Sequence, residues 1–217
     1  MRKIWVISDT HTQHGQLTIP EGIDMVIHAG DASNSREVSF NDAEMRDFVH
    51  WFSALPIKYK VFSGGNHDTS IEAKMWTKEM FEEYGIYFLN DETIEIEGTK
   101  IFGSPYSTTF GHGWAFNCSR NKIDQHWQLI EENTDIVITH SPCQGMLDYT
   151  RSGENAGCGS LLYRVGQIKP QYHICGHIHE EGGRQLIDQQ YPDTTFINGS
   201  VISLRSTVVN NGQIIEL

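Results

Sequence analysis

Lys3-Ile4-Trp5-Val6-Ile7-Ser8-Asp9-Thr10-His11 is a short apolar, partly branched run that ends on a serine and turns at once into an aspartate and a histidine. A run of that length between polar boundaries predicts a buried strand. The pattern recurs along the chain. Residues 24–29 and 59–63 are further runs of this kind, closed by Gly30-Asp31 and by Gly64-Gly65-Asn66-His67-Asp68. Residues 135–139 lead into His140, and residues 172–175 into Gly176-His177-Ile178-His179.

Helical spacing fills the intervals. Residues 41–54 place Met45, Phe48, Val49 and Phe52 on one face, with Asn41 available as a cap and Pro56 just beyond the end. Residues 71–84 predict a second helix stopped by Gly85, and residues 122–131 and 160–167 predict two more. Residues 93–103 alternate Ile94, Ile96 and Ile101 across a Gly-Thr turn, as a hairpin does. The tail, residues 195–198, 201–205 and 213–216, predicts antiparallel strands. Alternating strands and helices with antiparallel additions define a layered α/β sandwich of mixed sheets, in which chemistry belongs on loops at the carboxyl ends of the strands.

The chain has 217 residues, with 38% apolar and 11% aromatic side chains, enough for a substantial core. No repeat, low-complexity tract or Pro-rich linker divides it, so residues 1–217 are expected to form one domain. Its apolar runs are too short to cross a bilayer, and Met1-Arg2-Lys3 leads into a strand too short for a signal peptide. A cytoplasmic protein without a membrane partner is therefore expected. Sixteen basic and 28 acidic residues leave a net charge of −12, which repels long nucleic acids but suits a site neutralised by bound cations. Cys118, Cys143, Cys158 and Cys175 form no Cys-x-x-Cys pair and are expected to be reduced and mostly buried. Nothing in the sequence sets an oligomeric state.

Each strand-end residue alone is weak evidence. An aspartate there is commonly a turn former or cap, and a lone histidine such as His140 is commonly half-buried and satisfied by a hydrogen bond. Five such sites at one predicted edge are a different matter. Together they supply Asp, His and Asn in a mixture suited to hard-to-borderline divalent ions.

These blocks, Asp9-x-His11, Gly30-Asp31, Gly65-Asn66-His67-Asp68, His140 and Gly176-His177-x-His179, resemble the calcineurin-like metallophosphoesterase superfamily in identity and order. Closer resemblance is to the MPPED family, the class III cyclic-nucleotide-phosphodiesterase-like branch. It is carried by Ile27-His28-Ala29-Gly30-Asp31, Gly103-Ser104-Pro105-Tyr106, Trp114-Ala115-Phe116-Asn117, Gly157-Cys158-Gly159-Ser160-Leu161-Leu162 and Gly176-His177-Ile178-His179-Glu180. The resemblance implies an α/β/β/α sandwich of two mixed sheets flanked by helices, and a pair of divalent metal ions. One ion would be held by Asp9, His11, Asp31 and His179, the other by Asp31, Asn66, His140 and His177, with Asp31 bridging. A hydroxide bridging the two ions would attack a phosphoester while His67 assists the leaving group, so His67 and Asp31 are the expected catalytic residues. Manganese is the first expectation for the metal, with iron, nickel and zinc as alternatives.

A small, nucleotide-like phosphodiester is the expected substrate, cyclic nucleotides included. A phosphomonoester or a short oligonucleotide is the alternative for the same site. Many relatives carry an acid three residues after the bridging aspartate, where this chain has Asn34. That departure leaves the orientation of His67 to an Asn carbonyl, and it is the one feature favouring a binding module that has lost hydrolysis. His112, Trp114, Phe116 and Asn117 lie in a Gly-punctuated stretch with no regular pattern, expected to cover the pocket as substrate-binding residues or else to form a local apolar cluster. Arg36 and Arg120 are candidates for phosphate contacts or for ordinary surface ion pairs.

Overall fold

The first strand, β1 (Lys3–Ile7), is buried on both faces. Ile4 and Val6 enter one apolar cluster, and Trp5 and Ile7 another. Strand periodicity of two makes this possible only if the sheet is covered on each side. The computed structural model describes residues 1–217 and shows how the covering is built. After β1 come β2 (Met25–His28), α1 (Val38–Ala54), β3 (Tyr59–Ser63), α2 (Thr69–Glu72), α3 (Lys78–Glu83), β4 (Tyr87–Leu89), β5 (Glu92–Ile96) and β6 (Thr99–Ser104). They are followed by β7 (Ser107–Thr108), β8 (Asn117–Cys118), α4 (Asp124–Trp127), β9 (Ile136–Thr139), α5 (Gly159–Ile168), β10 (Tyr172–Cys175), β11 (Arg184–Ile187), β12 (Thr195–Asn198) and β13 (Gln213–Glu216).

Two mixed sheets result, ordered β13-β1-β2-β3-β4 and β11-β12-β10-β9-β6-β5, with β7 and β8 forming a small separate pair. The strands β1 to β4 run parallel, as do β6, β9, β10 and β12, and the edge strands β13, β11 and β5 are antiparallel. Ile4, Val6, Met25, Ile27 and Val61 of the first sheet meet Ile101, Ile136, Ile138, Ile174 and Ile197 of the second in the central core. On the outer face of the first sheet, Trp5, Val26 and Phe62 pack under Met45, Phe48, Val49 and Phe52 of α1. On the outer face of the second, Phe102, Val137 and Phe196 pack under Trp127 of α4 and Leu161 and Val165 of α5. Three cores between four layers make the α/β/β/α sandwich, each large buried side chain contributing about 1.5–3 kcal/mol.

Several local expectations are corrected. The first helix begins at Val38, capped by the Glu37 carboxylate, which accepts the Ser39 and Phe40 amides; Asn41 lies inside the helix and is buried. Residues 71–84 form two short helices instead of one. The chain breaks at Lys74, whose φ is 61°, and Trp76 is buried there with its indole N–H donating to Asp42 Oδ1 at 2.9 Å. Residues 122–131 hold only the one-turn α4, because the surrounding bonds run over three residues, as from Leu129 N–H to the His126 carbonyl. In the tail, β12 and β13 each have an antiparallel neighbour as expected, but β12 also pairs parallel to β10, and residues 201–205 enter a tight turn closed by Ser203 N–H on the Thr207 carbonyl. All four cysteines are free, with Cys143, Cys158 and Cys175 buried and Cys118 half-buried. No helix is long and apolar enough to cross a membrane.

Candidate metal centre

The parallel strands β1, β2 and β3 of one sheet and β9 and β10 of the other end side by side, and the bridge between Ser8 and Ser200 joins the two sheets at that edge. Asp9, His11 and Asp31 leave their strands in the left-handed region, with φ of 52°, 40° and 56°, and His177 does so at 68°. Four such non-glycine residues at one edge mark backbone strain that the surrounding packing must hold. Close approach sets two of the glycines. A Cβ at Gly176 would strike Ser8 Oγ and Asp9 Oδ2, and one at Gly65 would strike Asp31 and His140.

Asp9 accepts the His177 N–H at 3.0 Å and lies 3.3 Å from His179 Nε2, so it links the two sheets. Burial works to raise its pKa, but the bond and charge of His179, aided by His140, hold it well below the usual carboxylate range. Asp31 is at the centre. Its Oδ1 accepts the His67 N–H at 2.7 Å, and its Oδ2 faces His140 Nε2 at 3.2 Å, His11 Nε2 at 3.7 Å and His67 Nε2 at 3.9 Å. Here too burial is outweighed, by the charges of His140 and His67, and the carboxyl stays far below its ordinary value.

Main-chain carbonyls choose the tautomers. A carbonyl only accepts, so the 3.1 Å contact of His11 Nδ1 with Ser33 O and the 2.9 Å contact of His140 Nδ1 with Ala29 O place the proton on Nδ1 in both rings. His11 Nε2 is then a buried lone pair with no hydrogen-bond partner. Neutral His140 turns its Nε2 lone pair on two further acceptors, Asn66 Oδ1 at 3.0 Å and Asp31 Oδ2 at 3.2 Å. Converging lone pairs need either a proton or a cation between them. With no cation, the Asp31 and Asp9 charges overcome burial and push His140 up to about 9, whereas burial and the His67 charge hold His11 down at about 4. His177 is likewise held at about 3 by burial and His140, and His179 is raised because its bond to Asp9 outweighs its burial.

The donor atoms fall into overlapping groups: Asp9, His11 and His179; His11, Asp31 and His67; and Asp31, His140 and His177, each within 4.8 Å. The last two groups share Asp31, and Asn66 Oδ1, 3.0 Å from His140 Nε2, adds an oxygen to the third. Carboxylate, imidazole and amide ligands of this number fit a pair of divalent cations sharing one carboxylate.

His67 stands at the rim with its side chain 19% exposed, and its Nδ1–H donates to the Asn34 carbonyl at 3.0 Å. The orienting acceptor is therefore the main chain at position 34 and not the Asn34 side chain. Behind it lies a polar network that reading the sequence missed. Buried Asp68 accepts the N–H groups of Asp31, Gly65 and Ser33 at 2.8–3.0 Å and the Ser33 hydroxyl at 2.7 Å. Burial and the nearby Asp31 charge raise its carboxyl to about 6, although those bonds pull the other way. Asn41 Nδ2 lies 2.7–2.9 Å from Ser33 Oγ and the Ser35 and His67 carbonyls, and Asn41 Oδ1 accepts the Ser70 N–H at 2.9 Å. The signal available was a polar residue in register with the apolar stripe of α1.

The covering stretch divides. The Trp114 ring lies 4.2 Å from the His67 ring, and Phe110 stacks on Trp114 at 6.1 Å and packs against His177 at 4.7 Å. Phe110 is thus a rim residue that sequence reading did not single out. His112 is exposed, Phe116 is buried edge-on to Tyr106, and Asn117 Nδ2 donates to the Phe110 carbonyl at 3.3 Å. Arg36 lies over Trp114, its Cζ 3.6 Å from the ring centroid, while Arg120 donates to the Gly157 and Ala156 carbonyls instead of facing the centre.

A fold of this layering, with acidic and imidazole donors gathered at one edge, defines a metal-dependent hydrolase scaffold, and comparison with known proteins makes the class specific. Residues 2–181 match the family model of calcineurin-like phosphoesterases, and the chain belongs to that family. It is 30% identical over 236 residues to human metallophosphoesterase domain-containing protein 1, covering 97% of this chain and 69% of the relative. To UPF0046 protein K07C11.7 of Caenorhabditis elegans it is 36% identical over 218 residues, covering 91% and 69%. Among solved structures, phosphopantetheinyl hydrolase from Mycobacterium tuberculosis shares the fold with a TM-score of 0.59 at 13% identity, covering 94% of this chain and 91% of that one. The family and the His/Asp cluster support a metal-dependent phosphoric ester hydrolase with a dinuclear divalent centre.

Proposed function

We propose that this protein hydrolyses small, nucleotide-like phosphodiesters, cyclic nucleotides among them. Asp9, His11, Asp31 and His179 would hold one divalent cation and Asp31, Asn66, His140 and His177 the other, with manganese the first choice. The observation that carries the reading is Asp31 Oδ2, which faces the imidazoles of His11, His140 and His67 from loops of both sheets. Bound there, two divalent cations would supply Lewis-acid neutralisation of the phosphoryl oxygens and the means to activate water. The chain's own part is proton delivery and positioning. With Nδ1 held by the Asn34 carbonyl, His67 presents Nε2 towards the centre. Carrying its second proton there, His67 gives it to the leaving oxygen as the P–O bond to that oxygen breaks and the bond to the water oxygen forms. Phe110 and Trp114 offer apolar ring surface beside this point, suited to a base or another planar group.

Hydrolysis of bis-(4-nitrophenyl) phosphate by protein loaded in turn with manganese, iron, nickel and zinc tests the reading. Turnover is expected with at least one metal. His67→Ala is expected to keep bound metal while losing roughly 10²–10⁴-fold in rate, whereas Asp31→Asn loses both. Faster turnover of the diester than of 4-nitrophenyl phosphate supports the diester assignment, and cyclic nucleotides and single-stranded oligonucleotides extend the comparison. A His67→Ala rate equal to wild type would overturn the proton-donor role, and inactivity with every metal would overturn the hydrolase reading.

A further inference from the structure

Building on the proposed hydrolysis, we infer that Arg36 is a specificity residue that binds an anionic group, carboxylate or phosphate, carried by the leaving alcohol of the substrate. The group that protonates the leaving oxygen marks the side from which the leaving alcohol extends. On its buried side the His67 ring meets His11, at 4.4 Å, and Asp31. At the rim it meets Trp114 at 4.2 Å, and over Trp114 lies the guanidinium of exposed Arg36 at 3.6 Å. A leaving alcohol bonded through the oxygen at His67 Nε2 therefore runs out along the rim that Trp114 and Arg36 occupy.

Arg36 is uncommitted in a way most arginines of this chain are not. Arg2, Arg46 and Arg184 pair with carboxylates, and Arg120 and Arg164 donate to carbonyls. Arg36 makes no ion pair or side-chain hydrogen bond, although the chain carries a net charge of −12. Its contact is with the Trp114 face, which orders the guanidinium and leaves its N–H donors for a ligand. The platform is itself fixed. Ala115 N–H donates to the Asn66 carbonyl at 2.9 Å, and Phe116 N–H to Glu72 Oε1 at 2.7 Å, so the two residues after Trp114 are tied to the loop after β3 and to the end of α2. An acidic protein disfavours an anionic leaving group except where a cation stands beside its path, and Arg36 is the cation at that place.

The test uses ethyl aryl phosphodiesters of 4-nitrophenols bearing, at the 3-position, a carboxylate, a methylphosphonate or the neutral methyl ester of the carboxylate. Wild-type protein loaded with its most active metal is expected to favour each anionic ester over the neutral one in kcat/KM, and the relative size of the two preferences tells carboxylate from phosphate. Arg36→Gln is expected to lower the anionic-to-neutral ratio by roughly tenfold, through KM more than kcat, with Arg36→Lys recovering part of it. Equal ratios in wild type and Arg36→Gln, with all three esters hydrolysed, would overturn the inference and leave the hydrolase reading standing. Hydrolysis of none of them with any metal would overturn both.

Discussion

Gly176 is the residue on which the geometry of the centre makes its sharpest demand. It follows β10, and a Cβ built on it would overlap Ser8 Oγ and Asp9 Oδ2. Neither neighbour is free to move. Ser8 Oγ donates to the Gly30 carbonyl at 3.2 Å, and Asp9 is pinned by the His177 N–H at 3.0 Å. Gly176 does not have a positive φ, so Gly176→Ala introduces crowding without backbone strain. Relief requires a displacement of about 1 Å, and overpacking of that kind destabilises by about 1–3 kcal/mol. For a chain of this length that is a fall in Tm of roughly 3–10 °C. The larger effect is on the metal. With Asp9 as a ligand of the proposed centre, a shift of about 1 Å exceeds the roughly 0.2 Å tolerance of a ligand distance, so the affinity for manganese, the metal proposed first, should fall at least tenfold. Thermal unfolding with and without manganese, together with calorimetric titration of the metal, measures both. Gly15→Ala is the control, because no atom lies within 4 Å of the added methyl. If Gly176→Ala melted with wild-type Tm and bound manganese within a factor of three of wild type, the close approach of the two strand ends would be wrong.

Other outcomes follow from the same geometry. Asn34→Ala should change kcat on an aryl phosphodiester by less than about threefold, because a main-chain carbonyl survives the substitution; a loss comparable to that of His67→Ala would show that the side chain matters. Asn41→Ala should destabilise by about 2–4 kcal/mol in urea unfolding, since it strips partners from the Ser35 and His67 carbonyls and the Ser70 amide at a buried site. For pH, burial holds His28 and His173 down at about 3, well below the 6.5 of an unfolded histidine. The folded state then binds fewer protons than the unfolded one, so this stability is complete above pH 6.5 and is lost as pH falls towards 3. Each ring contributes a loss of about 2 kcal/mol between pH 7 and pH 5. Asp68, raised to about 6, offsets part of it by gaining stability as pH falls. Urea titrations in chelator at the two pH values should show the drop, made smaller by about 2 kcal/mol in His173→Phe; equal stability at pH 5 and pH 7 would refute it.

Much of the centre was legible because its parts are local. Asp9, Asp31, Asn66, His67, His140, His177 and His179 each follow a strand within a few residues, so the apolar run and the turn behind it locate them in the chain. The helix expected over residues 71–84 failed for the opposite reason. Its spacing is helical, but burying Trp76 with its indole bonded to Asp42 of α1 is a long-range requirement that local propensity does not register. In the tail only the β10–β12 pairing and residues 201–205 departed from expectation, since β12 looks alike whether its neighbour runs parallel or antiparallel.

Read alone, the amino-acid chain determined the alternation of strands and helices, the layered architecture and the residue types that gather at one edge, because periodicity and turn chemistry are written within a few neighbours. Only the tertiary structure decided that the carbonyls of Ser33, Ala29 and Asn34 orient His11, His140 and His67. It alone decided that Phe116 turns inward while Phe110, Trp114 and Arg36 line the rim. The reason is physical: every residue carries the same carbonyl, so a main-chain acceptor leaves no signature in the sequence, and which face of a loop meets the site is settled by how two sheets pack.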